Sequence, residues 1–420
     1  MARVVVVGGS IAGLAAALAF AKHGNEVLVL ERGSPPPDGP AGEAGQRWSR
    51  PTVPSFGHSH TLPSLGVTTL LERAPEVIKA ALDADAVLLD VVPGAGELVA
   101  LACRRPTLEV VLHRIVESLP GVEIRHGVRV TGLNLVGRRV TGVLAAGELL
   151  PAEIVIDATG RSARARAWLA ALGIPLAPDR AGPTAMHVFC RFYERHGAMG
   201  PLNRGNAAGG LDDHHAAVLH PGDGRTFSVA FGVLPGNRSL RQADSFTAAA
   251  RATPFIQDWL ETAEPTSEIR VLTSPPNLLR TLAVAPPVAG LYPVGDAACV
   301  TDPMYGRGMS LAIAHAFRLV EPGADAARIA RELLEPWFTQ STLDSVDRIA
   351  RWRATVTGDP QPPDPEAMTI RVAAAAAAHD PQVRRGLVEV LMGLRQPAEV
   401  FGDPAFAERV RELACPGPRC

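Results

Sequence analysis

The first 31 residues hold the feature that most limits how this chain can fold, a glycine-rich turn between two short apolar strands. Residues 4–7 are all valine, which is typical of a parallel strand buried on both faces. They lead into Gly8-Gly9-Ser10-Ile11-Ala12-Gly13 and an alanine-rich segment over residues 14–21, which predicts a helix packed on the sheet. A second apolar run over residues 27–30 ends at Glu31. This order of strand, glycines, helix, strand and acid predicts a Rossmann-type dinucleotide-binding unit.

Each position of the turn has a physical role in holding a dinucleotide. Gly8 permits the tight turn from strand to helix, and Gly13 lets the helix pack closely on the strand. Ser10 stands where the backbone must approach the pyrophosphate, a small departure from the usual glycine. The helix N-terminus adds N–H groups and a positive dipole for the phosphates. Glu31, 18 residues after Gly13, stands where a carboxylate accepts from the adenosine ribose hydroxyls, and Arg32 follows it. An acid at this place disfavours the 2′-phosphate of NADP.

Composition narrows the class of protein. The chain has 420 residues, 47% of them hydrophobic, and a formal net charge of −2, enough for two or three structural units. The near-zero charge gives no electrostatic reason to expect nucleic acid or an anionic membrane as a partner. No apolar run reaches the about 18 residues of a membrane span, and the first residues do not resemble a secretory signal. The five cysteines lack metal-binding spacing, so we expect a cytoplasmic protein with reduced thiols and no metal.

Two later segments repeat the pattern of an apolar strand that ends in a polar turn. Residues 154–156 lead into Asp157-Ala158-Thr159-Gly160, and residues 290–294 lead into Gly295-Asp296. The second turn is followed by Pro303-Met304-Tyr305-Gly306-Arg307-Gly308-Met309 and an alanine-rich helix. A strand-end aspartate can accept from a ribityl hydroxyl, and N–H groups at a helix start can face the negative N1–C2=O edge of reduced flavin. Either turn alone is equally compatible with an ordinary loop, but together with the first motif they favour FAD.

With these motifs the chain resembles the FAD-dependent monooxygenase superfamily with the p-hydroxybenzoate hydroxylase-like fold, from Ala2 to about Val320. Within it the chain is most similar to bacterial flavin-dependent epoxidases of natural-product biosynthesis. The segment Val53-Pro54-Ser55-Phe56-Gly57-His58-Ser59-His60 adds to this resemblance. In such enzymes an arginine that opens an R-x-x-L-x-x-x-L helix contacts the flavin chain, and Arg105 matches it. The family often reads Arg-His-x-His where this chain has Gly57.

The resemblance implies an α/β fold: a Rossmann-type FAD-binding domain with an inserted β-sheet substrate domain and a helical C-terminal region. We expect residues 1–82, 101–182 and 281–325 in the FAD-binding domain, residues 83–100 and 183–280 in the substrate domain, and residues 326–420 in the helical region. Within the substrate domain the pattern predicts a hairpin over residues 216–234 and one helix over residues 245–261. The expected cofactor-binding residues are Gly8, Ser10, Gly13, Glu31, Arg32, Arg105, Asp157, Gly160, Asp296, Pro303, Gly306, Gly308 and Met309.

The function implied is insertion of one oxygen atom from O₂ into an apolar natural-product intermediate, by epoxidation or hydroxylation through a flavin C4a-hydroperoxide. His58 and His60 are the candidates for a proton role or for contacts at the flavin edge, because a phenol needs a general base and an alkene does not. Tyr305 is the third catalytic candidate, beside the flavin by its motif. All three residues are also compatible with a structural role. The chain has no second dinucleotide fingerprint, so electrons would come from transiently bound NAD(P)H or from a separate flavin reductase.

Three other interpretations remain open to different degrees. A dehydrogenase or reductase on the same scaffold fits the same motifs. A flavin-dependent halogenase is disfavoured, because the chain lacks the Trp-x-Trp-x-Ile-Pro motif and contains only two lysines, Lys22 and Lys79. A non-catalytic flavin-binding protein would need a blocked pocket. His214-His215 beside Asp212-Asp213 could suggest a metal, but adjacent histidines in a loop are usually solvated.

Overall fold

A computed structural model describes residues 2–92, 94, 96–198, 200, 208–359 and 367–414. The strands are β1 (Arg3–Val7), β2 (Glu26–Glu31), β3 (Val87–Asp90), β4 (Val99–Ala102), β5 (Val122–His126), β6 (Val130–Val136), β7 (Arg139–Ala145), β8 (Glu148–Pro151), β9 (Ile154–Asp157), β10 (Arg180–Gly182), β11 (His187–Arg195), β12 (Ala208–Leu211), β13 (His215–Pro221), β14 (Thr226–Val233), β15 (Ala263–Pro265), β16 (Arg270–Thr273), β17 (Asn277–Leu279), β18 (Leu291–Pro293) and β19 (Cys299–Val300). The helices are α1 (Ile11–Lys22), α2 (Ala41–Arg47), α3 (Ser64–Arg73), α4 (Pro75–Leu82), α5 (Arg105–Ser118), α6 (Arg164–Ala171), α7 (Ala243–Ala252), α8 (Pro254–Leu260), α9 (Thr281–Val284), α10 (Gly308–Arg318), α11 (Ala326–Leu333), α12 (Glu335–Thr357), α13 (Ile370–Ala377), α14 (Pro381–Leu391), α15 (Pro397–Phe401) and α16 (Pro404–Ala414).

The centre of the fold is a five-stranded parallel sheet in the order β18-β9-β1-β2-β5. At its carboxyl edge, Val7 of β1 lies opposite Leu30 of β2 and Asp157 of β9, and Pro293 of β18 lies opposite Asp157. The turns that follow these strands therefore meet at one edge, where open α/β sheets bind their ligands. The Rossmann-type organisation expected from the sequence is confirmed.

The two faces of this sheet are covered differently. Val4 and Val6 pack with helices α1, α5 and α10, whereas Val5 and Val7 pack with α6 and the antiparallel sheet β6-β7-β8. The alternation follows from the two-residue period of a strand, and it explains why every residue of the valine run is apolar.

A six-stranded antiparallel sheet has the order β12-β13-β14-β11-β15, with β16 paired to β11. The hairpin formed by β13 and β14 agrees with the sequence prediction. The prediction of a single helix over residues 245–261 is wrong, because the chain forms the two helices α7 and α8 there. The break falls at Thr253, whose backbone is extended before Pro254 (φ −94°, ψ 111°). Proline disfavours a helical conformation in the residue before it and has no N–H to donate.

The C-terminal region is helical from α11 to α16, as expected. Its core is built around Trp337 and Phe338 of α12 and packs against Leu311 and Ala314 of α10. The expected proline-rich break at residues 359–363 (apart from Asp359) and the tail at residues 416–418 lie outside the described residues. Within the described ranges, no helix has the length and apolar character needed to cross a membrane.

Candidate active site

The three motifs line one cavity of about 1180 Å³ at the carboxyl edge of the parallel sheet. Ligand pockets for a single drug-sized molecule measure roughly 300–1,000 Å³, so the space suits a dinucleotide together with a second molecule. Of the expected cofactor-binding residues, only Gly13 and Asp157 stand outside the lining. The candidate catalytic residues His58, His60 and Tyr305 also line the cavity.

The glycine turn is shaped for the close approach of a pyrophosphate. Gly8 has a φ of +109°, and a Cβ there would lie 2.5 Å from the carbonyl oxygen of Ala158. A Cβ at Gly13 would overlap the carbonyl oxygen of Gly8, so Gly13 supports the turn without reaching the cavity. Helix α1 has no acidic residue in its first turn, which leaves its positive end open for an anion.

Arg105 adds a positive charge to the same end of the cavity. It is the first residue of α5. Its Nη1 donates to Ser55 Oγ at 2.7 Å, and its Nη2 donates to Ser10 Oγ at 3.2 Å. The guanidinium therefore stands beside the start of α1, and this arrangement of cation and helix terminus suits the pyrophosphate of FAD.

Glu31 lies at the end of β2 and is 4% exposed. Its Oε2 accepts from the N–H of Gly9 and its Oε1 from the N–H of Gly33, both at 2.7 Å. Arg50 Nη2 donates to Oε2 at 2.6 Å. Burial raises the pKa of Glu31, but Arg50 and the two N–H donors outweigh it and the net pKa is lowered. The carboxylate is thus ionised and held as a hydrogen-bond acceptor on the cavity wall.

Asp157 and Asp296, which occupy equivalent places in the sequence motifs, have different surroundings. Asp157 is fully buried and accepts from Thr159 N–H, Thr159 Oγ1 and Ala165 N–H at 3.0, 2.6 and 3.0 Å. Asp157 therefore shapes the turn behind the cavity. The Asp296 side chain is 40% exposed on the cavity wall, with Arg161 Nε 3.5 Å away. Only Asp296 is placed to accept from a ligand hydroxyl.

The start of α10 is built for a close backbone approach. Gly295 has a φ of +63°, and a Cβ there would lie 2.7 Å from Ala12 Cβ. A short 3₁₀ turn over Pro303–Tyr305 begins at Asp302, whose carboxylate accepts from Met304 N–H at 2.9 Å. Gly306 then takes a φ of +63°, and α10 starts at Gly308 without an acid in its first turn. The free N–H groups of this helix end fit the electron-rich edge of a reduced flavin.

His58 and His60 lie on the cavity without a carboxylate partner among the described residues. His60 Nδ1 is 2.8 Å from the carbonyl oxygen of His58, so Nδ1 carries the hydrogen and Nε2 of the neutral ring is an acceptor. Burial first, then Arg270 and Arg161, lowers the pKa of His58 to about 4. Burial first, then Arg105, lowers the pKa of His60 to about 3. Both rings are neutral at pH 7.

His220 of β13 is a third cavity histidine, which the sequence does not single out because it follows an ordinary apolar strand segment and belongs to no motif. Burial lowers its pKa to about 4, and its buried Nδ1 has no hydrogen-bond partner. The cavity wall therefore offers neutral imidazoles rather than imidazolium ions.

Tyr305 packs between the cavity and a buried arginine. The guanidinium carbon of Arg307 lies 4.6 Å from the ring centroid of Tyr305 and 4.7 Å from that of Trp337. Burial, followed by Asp344 and Asp302, raises the pKa of Tyr305 well above its usual value. The phenol thus stays protonated at neutral pH, where it is no base.

Residues of the six-stranded antiparallel sheet and of the C-terminal helices give the cavity an apolar part, called the apolar arm below. Val188 and Leu272 line it from the sheet. Ala374 of α13 and Leu391 of α14 line it from the opposite side. Arg371 also reaches this arm, with Nε and Nη2 both donating to Asp347 at 2.8 Å. The C-terminal region is thus part of the pocket, which its composition alone did not indicate.

Comparison with known proteins finds similarity to flavoproteins in the N-terminal part of the chain. Residues 3–168 match the family model described as FAD dependent oxidoreductase. That segment contains the glycine turn, Glu31, Arg105 and the Asp157 turn. A relative from Escherichia coli strain K12, the probable electron transfer flavoprotein-quinone oxidoreductase YdiS, is 29% identical over 334 residues, which is 74% of each chain.

Similar solved structures agree with the p-hydroxybenzoate hydroxylase-like fold. PqsL, a probable FAD-dependent monooxygenase from Pseudomonas aeruginosa, superposes with a TM-score of 0.62 at 14% identity, over 86% of this chain and 100% of that chain. The flavin-dependent brominase Bmp2 superposes with a TM-score of 0.65 at 16% identity, over 98% of both chains. At such identities these similarities establish the fold.

Proposed function

We propose that the protein is an FAD-dependent monooxygenase that inserts one oxygen atom from O₂ into an apolar natural-product intermediate. The observation that carries the proposal is the continuity of the cavity. The dinucleotide motifs, the start of α10 and the apolar residues of the six-stranded sheet and of helices α13 and α14 all line this one cavity. The name of PqsL, a probable FAD-dependent monooxygenase with the same fold, supports it.

The roles of the protein follow from the cavity wall. Reduced FAD, when bound, would supply the electrons that activate O₂. The turn at Gly8, the Arg105 guanidinium and Asp296 would hold the cofactor, and the α10 N-terminus would stabilise negative charge at its reactive ring. The apolar arm would exclude water and orient the substrate, which protects a reactive oxygen donor from hydrolysis.

The histidines favour epoxidation over hydroxylation of a phenol. A free phenol has a pKa of about 10, whereas His58 and His60 have pKa values lowered by burial to about 4 and about 3. Such weak bases cannot prepare a phenolate, and an alkene needs none. We propose that His60 Nε2 orients the substrate or the flavin edge as a neutral acceptor. This agrees with the resemblance to bacterial epoxidases.

Electron supply is part of the same proposal. The cavity is lined by a single set of dinucleotide motifs in the described residues, so NAD(P)H would bind only transiently or a separate flavin reductase would deliver the electrons. A reduction assay with NADH, NADPH and an added reductase separates these sources.

One alternative has an observation in its favour. YdiS, which covers 74% of the chain at 29% identity, carries the name of an electron-transferring oxidoreductase, and this supports a dehydrogenase on the same scaffold. Halogenation has the fold of Bmp2 in its favour but lacks a lysine on the cavity. Lys79 is exposed on α4, and Lys22 pairs with Glu76 at 2.6 Å.

The deciding experiment gives the reduced holoenzyme ¹⁸O₂ and a panel of apolar alkenes and phenols, and analyses the products by mass spectrometry. A product that contains one ¹⁸O atom supports the monooxygenase. Hydrogen peroxide alone with every substrate, together with reduction of an added quinone, favours the dehydrogenase. Ala374→Phe should fill the apolar arm and lower product yield, whereas Ala378→Phe, on an exposed position beyond α13, is the matched control.

A further inference from the structure

We propose that Arg50 is a positioning residue for the adenosine end of the cofactor, which leaves Glu31 a single acceptor site for one ribose hydroxyl. The inference rests on FAD binding in this cavity and adds a residue that none of the motifs contains. Arg50 lies three residues before the Val53–His60 segment that carries part of the family resemblance.

Arg50 is fixed from four sides. Its Nη2 donates to Glu31 Oε2 at 2.6 Å, and its Nη1 donates to the Gly9 carbonyl oxygen at 2.9 Å and to Glu109 Oε1. The ring of Trp48 covers the guanidinium, with 4.7 Å between its centroid and the guanidinium carbon. The Arg50 side chain is only 6% exposed, so solvent does not screen these contacts. The planar fork of an arginine can hold two carboxylates and a carbonyl at once, which an ammonium group cannot reproduce.

The pairing extends into a chain of four charges. Glu109 of α5 is fully buried and also accepts from Arg105 Nε at 3.4 Å, and Arg105 in turn donates to Ser10 Oγ. The order Glu31, Arg50, Glu109, Arg105 thus joins the ribose end of the site to its pyrophosphate end. Two cations balance two anions, so loss of Arg50 would leave Glu31 without an ion-pair partner and Glu109 with Arg105 alone.

The hydrogen bonds to Glu31 limit what it can still accept. A carboxylate has about four in-plane acceptor sites, two on each oxygen. Oε2 accepts from Gly9 N–H and from Arg50, and Oε1 accepts from Gly33 N–H. One site remains, on Oε1. Glu31 can therefore accept from only one of the two adenosine ribose hydroxyls.

The wild-type protein tests the acceptor count directly. Apoprotein is titrated with FAD and with its 2′-deoxyadenosine and 3′-deoxyadenosine analogues, and Kd is read from flavin fluorescence. Because a hydrogen bond to a charged group contributes about 1.5–3 kcal/mol, we expect one analogue to bind about 10- to 100-fold more weakly and the other to bind within about threefold of FAD. Equal, large losses for both analogues would overturn the single-hydroxyl assignment. Failure of the wild type to bind FAD at all would instead contradict the proposed function.

Substitutions test the role of Arg50. Arg50→Met should weaken FAD binding by about tenfold or more and erase the difference between the two analogues, because Glu31 is then no longer oriented. Arg50→Lys should recover part of the FAD affinity and part of the difference between the two analogues. Arg47→Met, on the exposed face of α2, is the control. The positioning role is refuted if Arg50→Met weakens the binding of FAD and of both analogues by the same factor. If the methionine variant does not fold, the role is refuted when Arg50→Lys distinguishes the two analogues as strongly as the wild type does.

Discussion

Arg270 occupies the space that a side chain at residue 57 would need. Its Nη1 donates to the carbonyl oxygen of Gly57 at 3.1 Å, and a Cβ added to Gly57 would overlap the guanidinium. The enzymes that the sequence resembles often carry an arginine at this place, whereas here β16 brings one to the same loop from elsewhere in the chain. A side chain at residue 57 would therefore displace the Arg270 guanidinium, which places a positive charge next to His58. After burial, Arg270 is the main cause of the lowered pKa of His58.

We expect an arginine at residue 57 to be tolerated only when the arginine at residue 270 is removed. Gly57→Arg alone is expected to destabilise the protein by about 1–3 kcal/mol, because two guanidinium groups compete for one space. Adding Arg270→Ala should restore most of that loss. Urea denaturation of the wild type, both single variants and the double variant measures the coupling. A double variant no more stable than Gly57→Arg would show that the two side chains do not share this space.

The two strand-end aspartates should respond differently to removal. Asp296→Ala is expected to weaken FAD binding by about 10- to 100-fold, the value of a hydrogen bond to a charged group, with little change in the stability of the apoprotein. Asp157→Ala should lower apoprotein stability by about 1–3 kcal/mol, because the buried Ala165 N–H and two half-buried Thr159 donors lose their acceptor. Apoprotein melting and FAD titration separate the two effects. Unchanged FAD affinity in Asp296→Ala would remove Asp296 from the cofactor site.

The contrast between these aspartates shows which features of the site can be predicted from the sequence. The apolar runs and glycines predict the strands and the shared sheet edge, because period and turn chemistry are local properties. Whether a strand-end carboxylate faces the cavity or its own turn depends on the backbone that follows it, and Asp157 and Asp296 differ in that respect. The Arg50–Glu109 pair spans 59 residues and has no local signal. The wall formed by α13 and α14 likewise arises from contacts between distant segments.

The cavity histidines should leave the pH–rate profile flat between pH 6 and 8. Their pKa values are lowered by burial to about 3–4, so His58, His60 and His220 stay neutral throughout this range. His60→Gln, which keeps a hydrogen-bond acceptor, should retain a flat profile with a lower kcat. Steady-state rates in overlapping buffers provide the measurement. An apparent pKa near 6.5 in the wild type that disappears in His60→Gln would show that His60 acts as a base.

Asp344 should make the folded protein less stable as the pH rises. Burial raises its pKa from 3.8 to about 6, although the Ile370 N–H and Arg307 oppose the shift. Between these values the unfolded chain has lost its proton and the folded chain has kept it, so the stability contribution falls as pH increases through about 4 to 6. Relative to Asp344→Asn, the wild type should lose about 3 kcal/mol across this window. A difference in the free energy of unfolding between the wild type and Asp344→Asn that stays constant from pH 4 to pH 7.5 would contradict the assignment.

FAD should bind in the cavity at the carboxyl edge of the parallel sheet, and the cofactor content of the purified protein measures this binding. The protein is purified without added flavin, or it is reconstituted with FAD. Denaturation then releases the bound flavin, which is quantified by absorbance and identified by chromatography. The account predicts a yellow protein that releases about one FAD per chain and no other flavin, with a large loss in Asp296→Ala. A colourless wild-type chain that takes up no FAD on reconstitution would contradict it.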